Sequence, residues 1–596
     1  MTANTPKSIL LLGATAITIA TITILSANTE VGANDASPEP DHVRVLWEED
    51  PAHRAVIAWT TDLAGTQHQV HFDTTSRGGE LGAYAFSTEQ TATEAYDEPE
   101  AEHVHSAKIE TLEPSTKYYF VVTSDGHTSP EFWFETAPVD TRTVKLLYGG
   151  DSRSDQEMRQ KMNLRMKELI ASDPEILALW HGGDYIYEGY DWLEWHQWLD
   201  DHELMNGDDG RLLPIIPTRG NHERNGVIYN KVFGYPGGDT IRNYFTTQIN
   251  AHARLFTLDS EGSTLGHQRR WLERELFAAQ DQRWILAGYH TPAYPAVKIP
   301  GPTKQHWVPL FERYKVDVVC ENDGHALKRT VPILDDAQHP DGVVYIGEGG
   351  LGVKQRTPDD TRWYLQSPGM TSAAHHVQVI TISEQELRMQ AIAEDGSVLD
   401  DYARAPRPER MAPGFAYTGL EIANPKAVRL FFTRGIDADT LNKDNVKIDP
   451  ALTVLKASYG SVLDSIVITF TEEFAPGTVY TIDLNDVRDL QGESPQVTQI
   501  QFTLDGPWDE SQEPDMGTPS EPDMAPEATP DMRDDVDMSP PAEQDMGNTT
   551  PGPGPGDGGD EDEGRCSTTP SKAPALPSPL LLGLLGGAAL MRRRRR

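Results

Sequence analysis

Between residues 143 and 397, apolar runs stop again and again at loops made of glycine, carboxylate, amide and imidazole. Five such loops occur in order. They are Gly150-Asp151-Ser152-Arg153, Gly183-Asp184-Tyr185-Ile186-Tyr187, Gly220-Asn221-His222-Glu223, Tyr289-His290-Thr291-Pro292 and Asn322-Asp323-Gly324-His325-Ala326. The apolar runs 144–148, 176–180, 284–289 and 316–320 read as buried strands, and 158–171 reads as a helix between the first two. Alternating strands and helices give an α/β layout, in which functional groups gather in loops beyond the carboxyl ends of strands. Singly, Gly-Asp is a turn, Asn-His a cap and one histidine a satisfied core residue. Five in succession, each at a strand end, make a metal-site pattern. Two cations about 3.5–4 Å apart need a carboxylate to bridge them. Amide and imidazole ligands set geometry without adding charge that repels phosphate, and glycine lets the backbone turn sharply.

The segments on either side are all-β in pattern. Residues 42–137 hold short runs such as Val43-Arg44-Val45-Leu46-Trp47, Ala55-Val56-Ile57-Ala58-Trp59 and Tyr118-Tyr119-Phe120-Val121-Val122. About seven short strands between turns predict a β-sandwich. Residues 412–504 repeat the pattern with Val428–Phe432, Ser465–Phe470 and Val479–Leu484, and carry no catalytic cluster. That segment reads as a passive spacer or adhesive module.

The ends read as addresses. Residues 1–33 combine Lys7, the apolar run 9–25 and a small-residue site at Val31-Gly32-Ala33, which predicts a signal peptide. Residues 506–565 have Pro-Asp-Met at Pro514, Pro522 and Pro530 and alternating Gly and Pro from Pro551 to Gly556. With little to bury, this is expected to be a disordered, extended linker. Residues 566–596 carry Cys566, an apolar run from Pro579 to Met591 and Arg592 to Arg596. The apolar run is short for a stable span. The arrangement resembles bacterial C-terminal sorting tags of the MYXO-CTERM type, which implies export and attachment to the membrane or envelope. The charge, 51 − 92 = −41, argues against a nucleic-acid-binding surface, and two cysteines exclude a disulfide framework.

The order and spacing of the five loops resemble the calcineurin-like metallophosphoesterases, and within them the purple acid phosphatases. Three features carry the narrower likeness: Tyr187 three residues after Asp184, Gly220-Asn221-His222-Glu223, and a β-domain ahead of the central one. In that β-domain, Leu112-Glu113-Pro114-Ser115-Thr116-Lys117-Tyr118 resembles a fibronectin type III signature. Leu258-Asp259-Ser260-Glu261 followed by Gln268, Trp271 and Leu272 agrees. Residues 412–504 resemble bacterial Ig-like modules. The resemblance implies a multidomain chain, with a phosphoesterase β-sandwich flanked by helices (143–397) set between two all-β sandwiches. It also implies two metal ions. Asp151, Tyr187 and His325 are implied at the first, Asp184 as the bridge, and Asn221 and His290 at the second. Tyr187 implies Fe(III) at the first site, and His222 is implied beside the substrate.

Two positions depart from the family pattern. Aligned without gaps from Val316, a second-metal histidine becomes Asp323 and the first-metal histidine is His325. A competing alignment takes Gly324-His325 as the family's Gly-His and puts Leu327 in the first-metal place. Asp323 is anionic and shifts the second site toward Mn, Mg or Fe and away from Zn. Arg153 replaces a small residue and is expected to pair with substrate phosphate. His306 is the leaving-group acid that the sequence offers. Cys320, the Trp192, Trp195, Trp198 series and His375-His376 read as packing. The resulting expectation is a secreted or surface-tethered hydrolase of phosphate esters, acting by a metal-bound hydroxide on monoesters. A phosphodiesterase or nucleotide hydrolase is the enzymatic alternative. A surface-adhesion protein with a degenerate phosphoesterase domain is the rival from another class.

Overall fold

The computed structural model describes residues 37–508, apart from 89–90, 97–101, 235–241, 408–409 and 461–463. The expected signal peptide, most of the linker and the terminal tag lie outside the described residues. Among those described, no helix is long and apolar enough to cross a membrane.

Two sheets form the centre. In the first, strands Val144–Gly149, Ile176–His181 and Ile215–Pro217 run parallel, and His376–Ile382, Leu387–Ala393 and Val398–Arg404 extend it antiparallel. The second has Ala253–Thr257, Trp284–Gly288, Val318–Glu321 and Val344–Gly347 as its parallel middle. Their inner faces share one core that includes Leu146, Tyr148, Trp180, Leu286, Val318 and Cys320. Trp180 ties the layers by donating from Nε1 to Thr257 Oγ1 at 3.1 Å. Helices Gln156–Ser172, Trp192–Glu203 and Gly266–Ala278 complete the α/β architecture. The first begins where Asp155 caps it by accepting from the Met158 N–H at 3.1 Å. Trp192, Trp195 and Trp198 are buried with Tyr185 and Phe233, so their helical spacing serves packing.

The N-terminal sandwich is not a separate bead. Its strand Asp41–Leu46 pairs in parallel with Ile215–Pro217, so one ten-stranded sheet runs through both domains. Its second sheet, built on His68–Asp73 and Lys117–Ser124, closes over Trp59, Val70 and Phe120. The C-terminal domain pairs Tyr417–Asn424, Ala427–Phe432, Ser465–Phe470 and Val454–Tyr459 in one sheet and Lys447–Asp449, Val479–Asp483 and Gln499–Thr503 in the other. This domain docks on the central one, which the sequence pattern did not foreshadow. Arg269 donates to Asp464 at 3.2 Å from both terminal nitrogens, Arg313 pairs with the other oxygen, and Gly435 N–H donates to Glu273 at 3.0 Å.

Candidate metal centre

All five loops meet at the carboxyl ends of the parallel strands. Asp151 follows Val144–Gly149, Asp184 follows Ile176–His181, His290 follows Trp284–Gly288, and Asp323 and His325 follow Val318–Glu321. Asp151, Asp184, Asp323 and His325 all hold left-handed backbone, with φ of 55°, 57°, 67° and 58°. Side chains with a Cβ resist that region, and such residues cluster where surrounding structure fixes a functional geometry. Two glycines make the approach possible. A Cβ on Gly183, φ +95°, falls 2.7 Å from Gly220 N, and one on Gly349, φ +86°, falls 2.0 Å from Asp151 Oδ2.

Asp151, Asp184 and His290 are buried and each brings one ligand atom to within 4.8 Å of the others. His290 Nδ1–H donates to Gly182 O at 2.9 Å. That bond fixes the neutral tautomer and leaves the Nε2 lone pair facing oxygens: Asn221 Oδ1 at 3.1 Å, Asp184 Oδ1 at 3.2 Å and Asp323 Oδ1 at 3.8 Å. Acceptors facing acceptors require a cation or a proton between them. With the proton as the cation, burial opposes the charge, yet Asp184 and Asp151 hold His290 well above its ordinary value. On the other side His325 Nε2 lies 3.2 Å from Asp151 Oδ1. Asp151 Oδ1 and Asn322 Oδ1 are buried and accept no hydrogen bond. The donor set therefore fits divalent or trivalent cations, with Asp184 beside both Asp151 and His290.

The remaining expected residues lie around this core. Arg153 Nε donates to Asp184 Oδ2 at 3.1 Å, and its guanidinium lies 5.5 Å from the centre of the Tyr187 ring. Tyr187 is 48% exposed, with its ring 5.1 Å from that of His222. His222 Nδ1–H donates to Tyr187 O at 2.5 Å, so Nε2 is left 3.9 Å from Asp184 Oδ2. Burial is the main reason that the His222 ring sits below its ordinary pKa. His306 is elsewhere engaged, with Nδ1 at 2.5 Å from Thr264 Oγ1. His375 and His376 bond Val353 O and Ala374 O, and Leu327 is fully buried.

Two residues escaped the sequence reading. Lys298 Nζ pairs with Asp323 Oδ1 at 2.7 Å, so the anionic replacement for a neutral histidine carries its own counter-charge. Nothing in the loop around Lys298 marks it. Glu223 accepts from the N–H groups of Asp184, Tyr185 and Gly220 at 2.9, 2.8 and 2.6 Å and locks two metal loops together. Its signal was present, as the last residue of Gly220-Asn221-His222-Glu223.

Fold and site agree with a calcineurin-like phosphoesterase domain at the centre of the chain. Residues 118–326 match the calcineurin-like phosphoesterase model, residues 40–136 the purple acid phosphatase N-terminal domain, and residues 403–504 the bacterial Ig-like domain. Beyond the family models, the chain is similar to purple acid phosphatases. An uncharacterised protein of Mycobacterium tuberculosis is 25% identical over 51% of this chain and 62% of its own length. A purple acid phosphatase of Glycine max is 23% identical over 49% of this chain and 66% of its own. The chain thus spans under two thirds of the length of these relatives. A purple acid phosphatase from yellow lupin (Lupinus luteus) seeds shares the fold, with a TM-score of 0.52 and 17% identity over 62% of this chain and 75% of that one.

Proposed function

We infer that the protein is a binuclear metal phosphohydrolase that cleaves phosphomonoesters outside the cytoplasm, tethered to the cell surface by its C-terminal tag. The observation that carries this is His290 Nε2 facing three oxygens with no hydrogen-bond donor among them. Asp151, His325 and Tyr187 are assigned to the first ion, Asn221, His290 and Asp323 to the second, and Asp184 to both. Fe(III) is assigned to the first ion and Mn, Fe, Zn or Mg to the second, with the anionic Asp323 weighting that choice toward Mn, Mg or Fe. An Fe(3+)-Zn(2+) purple acid phosphatase of Arabidopsis thaliana is among the relatives, 22% identical over 49% of this chain. Bound ions would polarise the phosphoryl group and activate water.

The chain's own groups supply the rest. Arg153 offers its guanidinium to a phosphate oxygen, a charge-assisted contact. His222, anchored through Nδ1, holds Nε2 toward the substrate side of Asp184. Lys298 offsets the charge of Asp323, which removes the repulsion that otherwise favours a less charged diester. That pairing supports monoesters over the phosphodiesterase reading, and the retained donor set supports an enzyme over a degenerate adhesin. The purified full chain, assayed on p-nitrophenyl phosphate and bis(p-nitrophenyl) phosphate, should prefer the monoester in kcat/KM. Preference for the diester would replace this reading with the phosphodiesterase.

A further inference from the structure

Among the described residues a second cluster of donors lies away from the phosphoesterase centre: His42, His196 and Asp200, with one ligand atom from each within 4.8 Å of the others. It sits at the seam where strand Asp41–Leu46 meets helix Trp192–Glu203. The strand is irregular there. Its register against Ala55–Thr61 shifts between Asp41 and Arg44, and His42 holds φ 50°. A bulge of this kind re-aims a side chain, here the His42 ring, which is 2% exposed. The helix presents His196 and Asp200 four residues apart, on one face.

The atoms are arranged as a metal clip. His196 Nδ1 donates to Glu102, 3.1 Å from Oε1 and 3.2 Å from Oε2. A carboxylate on the far nitrogen is the usual outer partner of a metal-binding histidine, because it fixes the ring and makes Nε2 the ligand. His196 Nε2 then faces Asp200 Oδ2 at 3.8 Å, too far for a hydrogen bond and suited to two ligands of one ion. His42 Nε2 lies 2.9 Å from Asp200 Oδ1, and its Nδ1 is buried without a partner. Asp41 Oδ2 adds a further carboxylate 3.9 Å from His42 Nε2. Among the described residues, the ion pairs of Asp200 and Glu102 are with histidine alone. Arg44 is turned aside, donating to the carbonyls of His42 and Val232. Asp200, with its side chain 57% exposed, leaves a path for an ion from solvent.

We propose that His42, His196 and Asp200 bind a borderline divalent cation of the Zn²⁺ class, which staples the N-terminal sandwich to the helix that follows the second metal loop. The site is independent of the phosphoesterase reading. The test uses the full chain, stripped with chelator and titrated with Zn²⁺ or Co²⁺ by calorimetry and absorption. The double variant His196→Ala/Asp200→Asn should bind one ion fewer than the parent. An Asp184→Asn variant should keep that ion while losing one or both of those of the phosphoesterase centre. Glu102→Gln, which spares all three ligands, should weaken the same ion by about 10–100-fold. Equal stoichiometry and affinity in the parent, the double variant and Glu102→Gln would overturn the proposal.

Discussion

Two buried charge clusters in this molecule are built on opposite principles. Where the Ig-like domain docks, two arginines, Arg269 and Arg313, meet two carboxylates, Glu273 and Asp464, and the charges match. At the carboxyl ends of the parallel strands, Asp151, Asp184 and Asp323 converge with His290 and His325, and Asp151 Oδ1 and Asn322 Oδ1 accept no hydrogen bond. Taking ions out of water costs several kcal/mol each unless they are paired. A matched cluster meets that cost internally and acts as an anchor. An acceptor-rich cluster meets it with an ion from outside, and the demand for that ion is what makes it a functional site.

The largest effect should come from Asp184→Asn, which removes the carboxylate proposed to serve both ions. Activity should fall by well over about 10²-fold, since even outer partners of metal ligands are worth 10–100-fold. With the seam site removed by His196→Ala/Asp200→Asn, the gain in Tm that added metal gives should vanish on adding Asp184→Asn.

Breaking the matched cluster should act on stability and spare the chemistry. Asp464→Asn leaves two buried arginines short of a partner, at a cost of about 3–5 kcal/mol, read by denaturant unfolding with metal content unchanged. The pH dependence has a definite sign. Burial would raise the Asp464 carboxyl, but Arg269 and Arg313 hold it below the ordinary 3.8. A folded value below the unfolded one gives stability that is present above pH 3.8 and lost as pH falls through the lower folded value. Docking should therefore be intact at pH 5 and loosen only below about 3.8, and Asp464→Asn should flatten that acid limb.

The Lys298–Asp323 pair is a matched pair inside the unmatched cluster, so it tests the boundary between the two principles. Lys298→Met leaves Asp323 without its counter-charge. Cation affinity at the second site should rise while KM for a monoester rises about tenfold, the size of one charge-assisted contact. Asp323→His/Lys298→Met conserves charge and should return KM most of the way, as a double-mutant cycle would show. The smallest effect is expected of Arg153→Ala, a rise in KM with kcat nearly unchanged, because Arg153 already spends one donor on Asp184.

What could be read in advance follows the range of the interaction. The central strands and the five loops were legible, because a strand end and its Gly-Asp or Asn-His are neighbours in sequence. The helix expected over 158–171 runs Gln156–Ser172, set by its Asp155 cap. Hidden features depend on distant pairing. The register of Leu46 against Ile215, which fuses two domains into one sheet, has no local mark. Lys298 reaches Asp323 across 25 residues, and Arg269 reaches Asp464 across 195. The Ig-like segment was read as a passive spacer or adhesive module, and its docking residues Gly435 and Asp464 lie in separate loops far in sequence from Glu273 and Arg269.

Metal content tests the central claim most directly, measured by elemental analysis on the His196→Ala/Asp200→Asn variant so that the seam cannot contribute. Two ions per chain, falling to none or one on Asp184→Asn with loss of p-nitrophenyl phosphate turnover, is the predicted result. One ion or none in the parent centre, with no turnover after reconstitution with Fe, Mn or Zn, would contradict it.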